Sequence, residues 1–307
     1  MINEAMLLLT RRCNYHCSFC RIAHKPISEL PLELWQEIIR ILKTNYDVRT
    51  FGISGGEATL LPNLLVGVVQ EISPYPNFVI SNGAVIDTEF GTKLGERLLL
   101  AGLTGYSSSV DDEHLLHSKD HGLNSMLKMK ELGCQDVTAS LTIYSGNVKT
   151  LVQTIKKLTD LGIYSVISIV HATKQPFPIP FVFRQDDVSV IPTYDEICYF
   201  VDEIIREYPK LDLHAPIEYF ENLPKVYDSN GLFKWHCEKP HYIEIDSDGK
   251  IKPCPDLLSG LSILETSIDE MLKMWYNDTS KCPGCYYSCE YRNHTIVEPI
   301  SAVFKRG

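Results

Sequence analysis

The sequence predicts an α/β fold: an open partial barrel of six βα units, then a small C-terminal domain built on a β-hairpin and a helix. Three observations carry this reading. Short apolar runs alternate with longer amphipathic stretches over the first two-thirds of the chain. Glycines fall where the helices should stop. After Pro209 the alternation ends.

The element pattern places strands at 5–9, 50–54, 78–81, 105–110, 137–143 and 164–170. Helices are expected at 32–42, 61–71, 92–100, 125–132, 147–161 and 194–207. Gly102, Gly133 and Gly162 each stand just before a strand, where a helix closes through a residue of positive φ. Thr193 with Glu196 three residues on has the form of a capping box opening the last helix. Strands in series with crossover helices form a parallel sheet with right-handed connections. Six units are too few for a closed eight-stranded barrel, so an open barrel is expected, with its chemistry at the C-terminal strand ends. Two short alternating runs, 242–246 and 250–252, flank the turn Ser247-Asp248-Gly249 and predict a hairpin. The expected domains are 1–212 and 213–307.

With 29 Lys and Arg against 39 Asp and Glu, the net charge of −10 does not suit a surface that holds nucleic acid through phosphates. No apolar run approaches the roughly 20 residues of a membrane span. The N-terminus lacks the basic start and apolar stretch of a secretory signal, which reads as cytoplasmic. The 10 cysteines are clustered, three within 13–20 and five within 237–289. Clustered cysteines without a secretory signal point to metal rather than to a disulfide framework.

Cys13, Cys17 and Cys20 follow the first strand, at the end where a barrel carries its site. Three closely spaced thiolates can hold three irons of a [4Fe–4S] cube and leave the fourth open. A zinc ion completed by His16 or His24 is the competing reading. The run Cys13-Asn14-Tyr15-His16-Cys17-Ser18-Phe19-Cys20 resembles the signature of the radical S-adenosylmethionine superfamily. Gly55-Gly56-Glu57 after the second strand, Ser81-Asn82-Gly83 after the third and Ser109-Val110-Asp111 after the fourth resemble further motifs of it. Ala58 departs from the proline often found after the second motif. The resemblance covers residues 5 to about 210.

That resemblance implies a [4Fe–4S] cluster whose open iron is chelated by S-adenosylmethionine. Reductive cleavage to a 5′-deoxyadenosyl radical and hydrogen-atom abstraction from substrate would follow. It also implies an outside electron donor of the flavodoxin or ferredoxin kind. Gly55 and Gly56 would let the backbone approach the cofactor's methionyl amine, and Glu57 would accept a bond there or fix the loop. Ser81, Ser109 and Asp111 are candidates for ribose or carboxylate contacts, Ser140 and Thr142 weaker ones, and Phe19 a neighbour of adenine.

In the second group, Cys282-Pro283-Gly284-Cys285 is a Cys-x2-Cys pair, and Cys254 follows the hairpin directly. The arrangement resembles the auxiliary-cluster domains called SPASM and, in shortened form, twitch. It implies one auxiliary [4Fe–4S] cluster on Cys237, Cys254, Cys282 and Cys285. Cys289 is left over as a replacement ligand, a hydrogen-atom donor or an inert thiol, and structural zinc is the rival for the whole group.

Enzymes so resembled oxidise, crosslink or epimerise, so a peptide or small natural-product precursor is the expected substrate. No leader-binding segment is expected, because the cysteine motif begins at residue 13, and a sugar, nucleoside or lipid substrate competes. A non-catalytic iron–sulfur or zinc protein is the other class. The segment 173–192, rich in Phe and Pro, is expected to wall the site or only to cover the core. His114, His117 and His121 are read as a solvated connector, Asp112 as pointing away from Asp111, and Cys134 and Cys198 as core.

Overall fold

The computed structural model describes residues 2–20, 28–112, 114, 120–170, 188–227, 233–237, 242–252, 260–279, 284 and 286. Cys254, Cys282, Cys285, Cys289, His24, His117 and most of the segment 173–192 lie outside the described residues.

Six strands run in order: β1 (Glu4–Leu8), β2 (Thr50–Ser54), β3 (Asn77–Ser81), β4 (Gly105–Ser109), β5 (Asp136–Ile143) and β6 (Tyr164–Ile169). Each pairs in parallel with the next, so sequence neighbours are sheet neighbours throughout. This single winding, whose crossovers are by rule right-handed, is the α/β arrangement of a barrel. The sheet order is β6-β5-β4-β3-β2-β1-β7-β8, so β6 does not close onto β1.

The crossovers are α1 (Leu32–Asn45), α2 (Pro62–Ile72), α3 (Glu89–Leu100), α4 (His121–Glu131) and α5 (Leu151–Asp160), with α6 (Tyr194–Glu207) after β6. In α1 the buried residues Trp35, Ile38, Ile39 and Leu42 recur at helical spacing and form one face against the sheet. Leu7, Phe51, Ile53, Val79, Leu141 and Ile167 of the strands join the same core. At about 25 cal/mol per Å² of apolar surface, each fully buried side chain of this kind contributes roughly 1.5–3 kcal/mol.

α3 stops at Gly102 (φ +101°), where the Leu103 N–H bonds the Leu98 carbonyl and the Gly102 N–H that of Leu99. The same closure recurs at Gly133 and Gly162. α6 opens as expected: the Thr193 side chain accepts from the Glu196 N–H (3.2 Å), and the Glu196 carboxylate accepts from the Thr193 N–H (2.7 Å).

After α6 come α7 (Ile217–Val226), β7 (Tyr242–Ile245), β8 (Ile251–Lys252) and α8 (Ile268–Thr279). β7 and β8 pair antiparallel, as the turn at 247–249 predicts. The hairpin also extends the barrel's sheet, because β7 lies parallel to β1 with Glu4 opposite Tyr242 and Leu7 opposite Ile245. A buried ion pair reinforces this seam. Arg11 donates from Nε to Asp246 Oδ1 (3.0 Å) and from its terminal nitrogen to Oδ2, with both side chains 3% exposed. Lys252 and Glu244 form a second buried pair. Burial alone would raise the Asp246 carboxyl, but hydrogen bonding and charge from Arg11, with Lys252, hold it below the usual carboxylate range.

Candidate active site

The site grows from the C-terminal end of β1. Past Leu8 the chain continues through Thr10, Arg11 and Arg12 into Cys13, and the second motif clamps this loop. Gly56 N–H donates to the Thr10 carbonyl (2.7 Å) and Glu57 N–H to that of Arg12 (2.8 Å). The glycines are needed for that clamp. A Cβ at Gly55 would lie 2.4 Å from the Thr10 oxygen, with φ at +150°, and one at Gly56 would lie 2.3 Å from the Arg12 oxygen. Their close approach in this structure is to the cysteine loop itself.

Glu57 is 1% exposed and gathers donors from two strand ends. Its Oε1 accepts from the Thr59 N–H (3.0 Å), the Thr59 hydroxyl (2.5 Å) and the Ser81 hydroxyl (2.9 Å). Its Oε2 accepts from the Asn82 N–H (2.7 Å). Of the two roles expected for Glu57, fixing the loop is the one these bonds perform. Ser81 is buried, its hydroxyl engaged with Glu57 while its oxygen accepts from the Gly83 N–H (3.0 Å).

Cys13, Cys17 and Cys20 are all half-buried on one loop, with the Cys20 N–H bonded to the Cys17 carbonyl (3.0 Å). Burial pushes the Cys13 thiol up to about 11, partly countered by the Tyr15 N–H 3.4 Å from its sulfur. A neutral thiol there gives up its proton on binding metal. Among the described residues no group of three or more His, Cys, Asp or Glu side chains is gathered closely enough to hold one metal ion. A cube, by contrast, binds each thiolate at a different iron.

The loop after β4 supplies the neighbouring wall. Asp111 is 1% exposed, and its Oδ1 meets the His114 N–H (3.2 Å) and ring Nδ1 (2.7 Å). His114 Nε2 lies 3.7 Å from Cys17 Sγ, and its ring packs against Tyr15 (6.0 Å) and Phe19 (6.2 Å). The solvated-connector reading is therefore wrong for His114. His114 itself turns toward the cysteine loop, its side chain only 14% exposed, and a buried carboxylate pins the ring there. His121 does sit apart, half-exposed, with its Nδ1 2.5 Å from Asp87 Oδ2.

Asp111 Oδ2 is buried and has no hydrogen-bond partner among the described residues. An orphaned oxygen on a carboxylate that His114 links to Cys17 fits a ligand with a hydroxyl or amine to donate, since leaving it bare costs about 1–3 kcal/mol. Phe19 is half-buried, 5.5 Å from the Tyr144 ring. Ser109 and Ser140 are half-buried partners across β4 and β5. Ser140 and Thr142 face away from the buried Ala139, Leu141 and Ile143. The donor set, the clamped loop and the orphaned oxygen together suit an iron–sulfur cluster with an organic ligand.

Near the C-terminus, Gly284 packs against the chain at Phe233–Trp235; a Cβ there would lie 2.1 Å from the Phe233 carbonyl oxygen. Tyr286 stacks on Tyr219 (4.6 Å) and Phe233 (6.0 Å). Cys237 is half-buried two residues past Trp235.

Comparison with known proteins agrees with the site. The chain is 28% identical over 124 residues to the S-adenosylmethionine-dependent nucleotide dehydratase of Danio rerio, a match spanning 38% of this chain but only 34% of that protein. It is 24% identical over 276 residues to the GTP 3',8-cyclase of Alkaliphilus metalliredigens, covering 82% of this chain and 81% of the cyclase. Among solved structures, anSMEcpe with bound AdoMet has a TM-score of 0.63 at 14% identity, covering 90% of this chain and 83% of that one. Streptococcus suis SuiB has a TM-score of 0.62 at 15% identity, covering 91% of this chain and 66% of its own. At such identities the structural likeness shows the fold. The family pattern of the Radical SAM superfamily matches residues 7–173, more than half of the 307, and includes all three loop cysteines. The chain belongs to the radical SAM superfamily and is an enzyme, of a kind that uses a [4Fe–4S] cluster with S-adenosylmethionine.

Proposed function

We infer that this enzyme abstracts a hydrogen atom from a peptide or small natural-product precursor, leading to oxidation, crosslinking or epimerisation. The observation that carries the site is Asp111 Oδ2, a buried acceptor without a partner among the described residues, on a carboxylate that His114 links to Cys17. When bound, the cluster with S-adenosylmethionine supplies reductive cleavage and a carbon-centred radical. Cys13, Cys17 and Cys20 are the residues to hold it. Asp111 accepts from a hydroxyl or amine of the nucleoside part, with Ser109 and Ser140 as neighbours and Phe19 as an apolar wall. Gly55, Gly56 and Glu57 keep the cysteine loop fixed, and Ser81 braces Glu57. A low-potential donor of the flavodoxin or ferredoxin kind supplies the electron.

A second cluster on Cys237, Cys254, Cys282 and Cys285 belongs to this reading, as does a functional division at residue 212. Its support is the packing of Gly284, within the Cys-x2-Cys turn, against the segment that ends in Cys237. The peptide reading draws on the fold shared with SuiB, which has been solved with its precursor peptide SuiA. It also draws on Arg11 and Arg12, which precede the cysteine motif and are both paired with carboxylates, Asp246 and Glu29.

A nucleotide substrate is the second reading, favoured by the names of both sequence relatives. Anaerobic reconstitution with iron and sulfide decides the cluster count. About eight irons per chain are expected, falling to about four in Cys282→Ala/Cys285→Ala. Four in the wild type, or bound zinc, would remove the second cluster. Stimulation of 5′-deoxyadenosine release by nucleoside triphosphates but not by peptides would favour the nucleotide reading.

A further inference from the structure

We propose that Asn82 is a positioning residue for the cluster, tuning its reduction potential through an N–H···S bond to Cys13; this rests on the iron–sulfur reading of Cys13, Cys17 and Cys20.

Asn82 follows β3 and is 6% exposed. Its side-chain oxygen accepts from the Ala84 N–H (3.0 Å), which fixes the end of the amide that carries hydrogens. Its Nδ2 then donates to Asn14 Oδ1 (2.8 Å) and lies 3.8 Å from Cys13 Sγ, a long contact of the kind sulfur's size allows. An amide has two N–H bonds, so one nitrogen serves both partners. The backbone N–H of Asn82 is held by Glu57 (2.7 Å), itself fixed by Thr59 and Ser81. A rigid path of hydrogen bonds thus runs from a buried carboxylate to the sulfur of Cys13.

Adding one electron, supplied by a low-potential reductant, places one more negative charge on the cluster and its thiolates. A fixed N–H dipole aimed at a ligand sulfur stabilises that added charge and raises the potential. The Tyr15 N–H (3.4 Å) does the same from the backbone, where only proline, which also fixes φ, would remove it. Asn82 is the adjustable donor.

The test is a dithionite titration of reconstituted wild type, Asn82→Ala and Asn82→Ser, followed by electron paramagnetic resonance. The signal read is the one that changes when S-adenosylmethionine is added. Both variants are neutral, and serine keeps an oxygen for the Ala84 N–H while falling short of Cys13. The expected result is wild-type iron content with the midpoint shifted negative in both variants. A structural role alone would lower iron content or melting temperature and leave the midpoint in place, and an unmoved midpoint overturns the proposal. If the alanine variant does not fold, the serine variant decides. A wild type that takes up no iron overturns the iron–sulfur reading and this proposal together. A loaded wild type with unshifted variants overturns this proposal alone.

Discussion

Glu57 joins two motifs that lie 25 residues apart, and through Asn82 reaches a third. Replacing it with alanine leaves the Thr59, Ser81 and Asn82 donors buried without their acceptor. Bonds to a charged group contribute roughly 1.5–3 kcal/mol each, with losses well short of additive. Glu57→Ala is therefore expected to lower stability by about 2–4 kcal/mol in urea unfolding and to reduce iron uptake, with Glu57→Gln intermediate. Unchanged stability would mean the four bonds are not made. The sequence marks Gly55-Gly56-Glu57 as a motif, but not that both glycines face the Thr10–Arg12 backbone. That depends on how β1 and β2 align past their ends. His114 was missed for a similar reason. Its spacing to His117 and His121 is helical, and only the fold brings it to Cys17, 97 residues away.

Among the elements, the seam between β1 and β7 links the cysteine loop to the C-terminal hairpin. Removing one partner of a buried ion pair costs roughly 3–5 kcal/mol, so Asp246→Ala should destabilise by about that much at pH 7. The Asp246 carboxyl is held below its unfolded value of about 3.9. Its contribution is thus fully present above that pH and is lost as pH falls through the folded value. Melting curves of wild type and Asp246→Ala should differ widely at pH 7 and converge below about pH 4. A gap independent of pH would contradict the assignment. The strands of the barrel and α6 were legible, because each is a short apolar run or a periodic stretch closed by its own cap or glycine. β7 was legible as half of a hairpin, from alternation and turn residues. Its pairing with β1 was not, because nothing local in either strand names a partner over 230 residues distant.

Over the whole molecule, the six βα units bring the ends of β1 to β5 together, and with them the cysteines, Glu57, Asn82, Asp111 and Ser140. No helix among the described residues is long and apolar enough to cross a membrane. The superfamily was legible because its motifs stand in order at successive strand ends. The substrate was not, since it is chosen by the shape and charge of the open barrel face, which no short motif encodes. The claim on which the rest depends is that Cys13, Cys17 and Cys20 hold the cluster that cleaves S-adenosylmethionine. The direct measurement is 5′-deoxyadenosine formed anaerobically under dithionite by reconstituted wild type and by Cys13→Ala/Cys17→Ala/Cys20→Ala. Product from the wild type and none from the variant is the expected result. No product from an iron-loaded wild type, or equal product from the variant, would contradict it.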